Sequence, residues 1–371
     1  MEMSGGSYRE CIKISPMTIC YFGDYDPLYA RNKLLMRGLR ENGVEVVEVN
    51  QSTSIGIVRY WRLYRKLHSL HNPFDILIIG FSNTRLMVPF AWLVTRKPIV
   101  WDAFYSLYDN WVFDRKLARK GSVKAGYYWI LDWLGIKLAR LVTLDTSFHS
   151  EYFVHTFGAS REKFVRVLIG ADTEVMKPAQ LLHHSGPTKV FFYGHYIPAH
   201  GARYIIEAAK LLESENVTFT LLGRGQEYKE IRALAESLKS NNICFVDSVP
   251  FSGLVKYIED TDICLGLFGD VERMTRSIPN KVYDAAAVGR AIISGDTPAM
   301  HEVFTDRQDV LLCRPADARD LADKIKELVG NREMVERLAD AASVLSRDRL
   351  KPKLLVQDLL KNIEENLLNK S

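Results

Sequence analysis

Two doubly wound α/β domains facing a central cleft are the fold class that three observations predict. Strand-like and helix-like stretches alternate through the first half of the 371 residues. A segment of two prolines, a glycine and two histidines, KPAQLLHHSGP (177–187), then breaks the pattern. Beyond it the alternation resumes, with strand runs that end in glycine turns. Alternating β and α elements imply parallel sheets wrapped by helices.

The elements follow in order. MTICYF (17–22) is a buried-strand run, and 29–42 has helical periodicity up to Gly43. VEVVEV (44–49) alternates as a strand does, and Ile76–Ile79, 99–101 and Leu141–Leu144 read as three more, with a short one at 164–168. After the break, strands are predicted at 190–193, 219–222, 244–246, 263–267, 291–294 and 310–313. Residues 317–370 carry helical patterning, interrupted near 348–352. This divides the chain into an N-terminal domain (1–180), a C-terminal domain (188–348) and a last helix (349–371).

Composition narrows the class. Hydrophobic residues make up 47% and charged residues 25%, as in a soluble globular protein. The opening MEMSGGSYRECIKIS lacks the apolar centre of a secretory signal. Five scattered cysteines, Cys11, Cys20, Cys244, Cys264 and Cys313, contain no C-x-x-C pair, which predicts reduced thiols in the cytoplasm. Residues 1–185 carry 24 Lys and Arg against 17 Asp and Glu, whereas the remainder carries 25 against 28. A basic first half of this size suits an anionic acceptor or a membrane surface better than nucleic acid.

Two motifs in the second half carry chemistry. FFYGHYIPAHG (191–201) reads as a strand, a turn and a helix start, in which Gly194 and Gly201 let backbone amides approach a ligand. His195 and His200 could donate to phosphate oxygens; taken alone, the stretch is also an ordinary connection with two surface histidines. SIPNKVYDAAAVG (277–289) places Ile278, Asn280 and Lys281 around Pro279 at a helix start, with Asp284 one turn further in. Asp284 is spaced to bond a ribose hydroxyl, or else is a carboxylate that favours the helix dipole.

Together these residues resemble the retaining nucleotide-sugar glycosyltransferases of family 4, which have the GT-B fold of two Rossmann-like domains. The family's G-R-x-x-x-x-K-G corresponds to GHYIPAHG, its next glycine loop to LLGRGQ (221–226), with Gly223 and Arg224, and its phosphate loop and helix to PNKVYDAAAVGRAII. The resemblance covers residues 188–345. It implies a nucleoside diphosphate sugar as co-substrate, ribose on Asp284, retention of configuration, and no metal or other cofactor. It also implies that the last helix crosses back onto the first domain. The family has two glutamates with seven residues between them; here those positions hold Arg276 and Asp284. Its basic pair falls on His195 and His200, so diphosphate charge passes to Lys281, Arg276 or Arg224 and to helix amides.

The first half supplies acceptor-side candidates. Gly23 and Asp24 follow the first strand and match the family's glycine loop, and Arg31 opens the next helix; helix capping by Asp24 or Asp26 with a solvated Arg31 is the alternative. In VWDAFYSLYDNW (100–111), Phe104 falls where many members have a histidine. Asp102 is the candidate for a polar group that positions the acceptor hydroxyl or stabilises charge, or a buried loop cap. His149 ends the fifth strand unit and could face the cleft. The stretch 56–70 is a basic helix with Tyr60, Trp61 and Tyr64, which reads as a solvated domain helix or as a membrane-surface helix. The aromatic stretch 127–141 reads as buried packing.

The expected activity is transfer of a sugar to a saccharide or lipid-linked acceptor, in polysaccharide biosynthesis, by a cytoplasmic or peripherally membrane-bound enzyme. A sugar-nucleotide epimerase and a non-catalytic sugar-nucleotide-binding scaffold are the rivals.

Overall fold

The computed structural model of the protein describes residues 16–368, apart from 54–55, 72, 83 and 182–184. Cys11 and the expected linker histidines, His183 and His184, therefore lie outside the described residues.

The first sheet is built from β1 (Thr18–Gly23), α1 (Ala30–Glu41), β2 (Glu45–Asn50), α2 (Gly56–His68), β3 (Ile76–Ile79) and α3 (Met87–Val94). It continues through β4 (Ile99–Phe104), the single turn α4 (Leu107–Asp109), α5 (Val123–Leu138), β5 (Leu141–Leu144), α6 (Ser147–Phe157) and β6 (Phe164–Arg166). Its order is β2-β1-β3-β4-β5-β6, all parallel. Parallel strands are covered on both faces, which is why ILII and IVWDAF are buried along their whole length. The pleat sorts alternate residues: Cys20 and Phe22 pack with α2, α3, α5 and α6, and Ile19 and Tyr21 pack with α1.

The second sheet contains β7 (Thr188–Tyr193), α7 (Ala202–Leu211), β8 (Val217–Leu222), α8 (Tyr228–Ser237), β9 (Ile243–Val246) and α9 (Phe251–Glu259). β10 (Ile263–Leu265), α10 (Asn280–Val288), β11 (Ala291–Gly295) and β12 (Leu311–Cys313) complete it, in the order β12-β11-β10-β7-β8-β9. Strand order reverses at β7 and β10. Helices leave to opposite faces there, so a crevice opens at the carboxyl ends of those two strands. Every strand expected from the sequence is present.

The chain ends in α11 (Ala318–Leu328), α12 (Arg332–Arg349), α13 (Pro352–Leu355) and α14 (Gln357–Ile363). A single last helix was expected, but Val356 breaks it and turns its side chain towards Gly38 of α1. A Cβ at Gly38 would lie 2.3 Å from the Pro352 carbonyl oxygen, so glycine lets the two segments touch. Val356, Leu359, Leu360 and Ile363 thereby join the core under the first sheet. Burying four such side chains is worth roughly 6–12 kcal/mol before the ordering entropy is subtracted.

Candidate functional site

The crevice at β7 and β10 is lined first by glycines. Gly223, after β8, has φ 131°, and a Cβ there would sit 2.0 Å from the Gly194 carbonyl oxygen. Only glycine lets these two loops run in contact. Gly201, the residue before α7, completes the turn after β7.

Lys281 enters this crevice from the first turn of α10. It is buried, and its Nζ has no hydrogen-bond partner. It lies 4.1 Å from the centroid of the Phe192 ring. The backbone at Gly194 sits between Lys281 and His200: a Cβ there would be 3.1 Å from both Lys281 Nζ and His200 Nδ1. His200 Nδ1 is also buried without a partner. Burial pushes the Lys281 ammonium well below its ordinary value. The His200 imidazole is lowered too, first by burial and then by Lys281. A buried cation without a counter-charge is costly, and an anion placed beside it removes the cost. The start of α10, in whose first turn Lys281 lies, has no side-chain cap, and such helix starts favour anions. Asn280 opens this helix, and buried Ile278 anchors the preceding loop in the core.

Asp284 lies one turn beyond Lys281 on α10, half-buried, and accepts a 2.5 Å hydrogen bond from the Tyr193 hydroxyl. Burial pushes its carboxyl up to about 7, against the lowering effect of Tyr193. Tyr193 itself keeps its proton, because burial and then Asp284 raise it. Lys281, His200, Gly194 and Asp284 thus lie around one end of β7. Tyr193 was missed, because FFYG reads only as a buried strand.

Other expected residues are placed elsewhere. Arg276 does not stand free for a diphosphate. Its Nη2 donates to both oxygens of Asp109 at 2.9 and 2.8 Å, its Nη1 to Glu272 at 2.8 Å, and its guanidinium lies over the Tyr152 ring. Arg224 is exposed and paired with Asp247 at 2.6 Å. His195 is exposed on the loop.

The acceptor-side residues are revised in the same way. Asp102 is fully buried, where its carboxylate accepts from Arg31 Nη2 at 2.8 Å and from the Thr143 hydroxyl at 2.6 Å. Arg31 also donates to the carbonyl of Val167, so the pair ties α1 to β4 and β6 and does not face the cleft. Phe104 is buried at φ 62° beside Phe81. Asp24, next to Gly23, is held by Arg59 of α2.

His149 is the acceptor-side candidate with unused chemistry. It is buried in the first turn of α6; its Nδ1 lies 2.5 Å from Asp145 Oδ1, and its Nε2 has no partner. Two residues from this dyad, the Ser147 amide donates to Glu302 of the second domain at 2.8 Å. The Thr146 hydroxyl donates to the Arg276 carbonyl at 2.5 Å. The dyad therefore lies where the domains meet. Asp109 was missed because nothing local in LYDN marks an ion pair with a partner 167 residues away; Asp145 was missed although its four-residue spacing from His149 is a local signal.

Two parallel six-stranded α/β domains, joined across a cleft with a buried lysine at the second sheet's crossover point, define the GT-B class of glycosyltransferase architecture. Comparison agrees: residues 187–331 match the family described as Glycosyl transferases group 1. No curated protein matches the chain in sequence. Among solved structures, Alr3699/HepE of Anabaena in complex with UDP is similar at a TM-score of 0.68 and 14% identity, over 95% of this chain and 100% of that one. Sucrose-phosphate synthase from Thermosynechococcus elongatus is similar at a TM-score of 0.74 and 12% identity, over 96% and 100%. A glycosyltransferase from Rickettsia africae ESF-5 is similar at 0.67 and 13%, over 96% and 100%. At these identities the likeness is one of fold.

Proposed function

We propose that the protein is a glycosyltransferase that moves a sugar, with retention, from a nucleoside diphosphate donor to a saccharide or lipid-linked acceptor. The observation that carries this reading is the buried, unpartnered Lys281 Nζ at the uncapped start of α10, with Asp284 one turn away. Diphosphate would sit on Lys281 and the helix amides, and ribose on Asp284. As the acceptor oxygen bonds to the anomeric carbon, the bond from that carbon to the β-phosphate oxygen breaks. Lys281 and the amides meet the charge collecting on the departing diphosphate. Retention places the acceptor hydroxyl on the leaving-group face, so its proton passes to that diphosphate. His149, oriented by Asp145, is the candidate to contact the sugar or acceptor from the first domain. No metal or further cofactor enters this scheme.

The test is thermal stabilisation by UDP-, GDP-, ADP- and dTDP-sugars of the parent protein, Lys281→Ala and Asp284→Ala. One nucleotide class should raise Tm in the parent and fail in both variants; at about 100 times Kd the stabilisation is about 2.7 kcal/mol. Absence of any shift at millimolar donor would sink the reading. A second reading has its own observation: Arg276 stands where the family has a carboxylate and is locked to Asp109, as a scaffold without turnover would allow. Donor binding without transfer or hydrolysis would favour it. Epimerisation of the donor without acceptor would instead assign His149 and Asp145 an acid–base role.

A further inference from the structure

Of the 17 large apolar side chains exposed among the described residues, 11 lie between 57 and 130. Nine of these, all but Leu86 and Leu117, sit on the outer sides of three helices that cover one face of the first sheet. α2 presents Ile57, Trp61 and Tyr64; α3 presents Trp92 and Leu93; α5 presents Val123, Tyr127 and Ile130. Exposure reaches 73% at Leu93 and 93% at Val123, far beyond a residue that only grazes solvent. The helices are neighbours: Tyr60 of α2 packs on Phe90 of α3 with centroids 4.9 Å apart, and α3 packs on α5. Residues 127–141, expected to be wholly buried, therefore turn two apolar side chains outward.

Charge on this stretch is one-sided. Residues 56–140 contain 14 Lys and Arg and five Asp, with no Glu. Asp102, Asp109, Asp114 and Asp132 are fully buried, and Asp75 is half-buried against the Thr18 amide. The exposed charges are cations, among them Arg65 and Lys66 on α2, Arg96 and Lys97 after α3, and Lys120 and Lys124 at the start of α5. Trp92, Arg96, Lys97 and Arg140 together wall a pocket of about 210 Å³. No helix among the described residues is long and apolar enough to cross a bilayer.

We propose that the outer face of α2, α3 and α5 is a docking surface for an anionic lipid bilayer, with its aromatic and aliphatic side chains among the headgroups and its cations on lipid phosphates. Exposed alkyl and indole groups interleaved with cations fit that interface. Cations alone would suit a soluble polyanion equally, and the apolar side chains decide between them. The inference is independent of the donor site, since none of these residues lines the crevice at β7 and β10.

The experiment is flotation of the full chain with phosphatidylcholine vesicles containing or lacking 30% phosphatidylglycerol, at low and high salt. Brominated acyl chains report insertion by quenching tryptophan. The expected result is binding to the anionic vesicles only, weakened by salt, with quenching. Trp61→Ser with Trp92→Ser, which removes the two exposed tryptophans of this face, should abolish quenching. Arg96→Glu with Lys97→Glu should weaken binding by roughly tenfold or more, since each basic residue near such a surface is worth about a fivefold factor. Both variants alter exposed positions, so Tm and donor-induced stabilisation should match the parent, which separates failure here from failure of the donor site. Binding to heparin but not to anionic vesicles would overturn the proposal, as would vesicle binding that both variants leave unchanged.

Discussion

At the scale of single residues, Asp284 makes the sharpest prediction. Its folded-state carboxyl sits at about 7 against an ordinary 3.8. The folded chain therefore holds a proton there that the unfolded chain has lost, and this stabilising contribution fades as pH rises from about 4 through about 7. Asp284→Asn should remove that slope: its Tm should exceed the parent's at pH 8 and match it near pH 4. Donor affinity should run the other way in the parent, rising through pH 7 as the carboxylate becomes able to accept from ribose. A Tm difference that ignores pH would show that Asp284 is ionised throughout. Lys281 predicts proton uptake on donor binding, because an arriving diphosphate restores an ammonium that burial disfavours. Titration calorimetry in buffers of different ionisation enthalpy reads that uptake directly.

At the scale of elements, two helix glycines make opposite predictions for one substitution. Gly38 in α1 has the Pro352 carbonyl 2.3 Å from where a Cβ would go, so Gly38→Ala should destabilise by about 1–3 kcal/mol by prising α13 away. Gly126 in α5 has nothing within 4 Å, so Gly126→Ala should stabilise by about 0.5–1 kcal/mol through helix propensity. Urea titration of the two variants checks both signs. The elements themselves were legible in the sequence, because buried parallel strands such as ILII and AIISG are uninterrupted apolar runs between turns. The candidate donor loop could be singled out for a related reason: Pro279, Lys281 and Asp284 lie close together in sequence, at the start of α10. Arg276 and Asp102 were misplaced because their partners, Asp109 and Arg31, lie 167 and 71 residues away. No local pattern encodes such a pair, and Asp102 differs from a cleft carboxylate only by facing Arg31.

At the scale of the molecule, the two domains are fastened by side chains from one loop. Arg276 holds Asp109, and Arg273 holds Asp114, with both aspartates fully buried. Arg166 to Glu302 at 2.9 Å adds a more exposed third tie. Removing one partner of a buried ion pair costs about 3–5 kcal/mol. Asp109→Ala with Asp114→Ala should therefore loosen the cleft, seen as a larger radius of gyration in solution scattering and a lower Tm. Asp247→Ala, which frees the exposed Arg224, should leave both within experimental scatter. If the double variant keeps the parent's radius of gyration, the apolar contacts between the domains hold the cleft by themselves.

The return of the chain at Pro352 also sets a timetable for synthesis. The first sheet is fully made once β6 has emerged, yet Ile19, Tyr21, Ile76 and Val100 wait for Val356, Leu359 and Ile363 to cover them. Between Arg166 and Pro352 the ribosome must add another 186 residues, which takes roughly 10–40 s at about 5–20 residues per second. For that interval the nascent first domain shows an apolar flank to the cell, inviting chaperones and proteases. Its maturation thus waits for the synthesis of α14, and a premature stop anywhere before α14 strands an incomplete N-terminal half however well that half has folded.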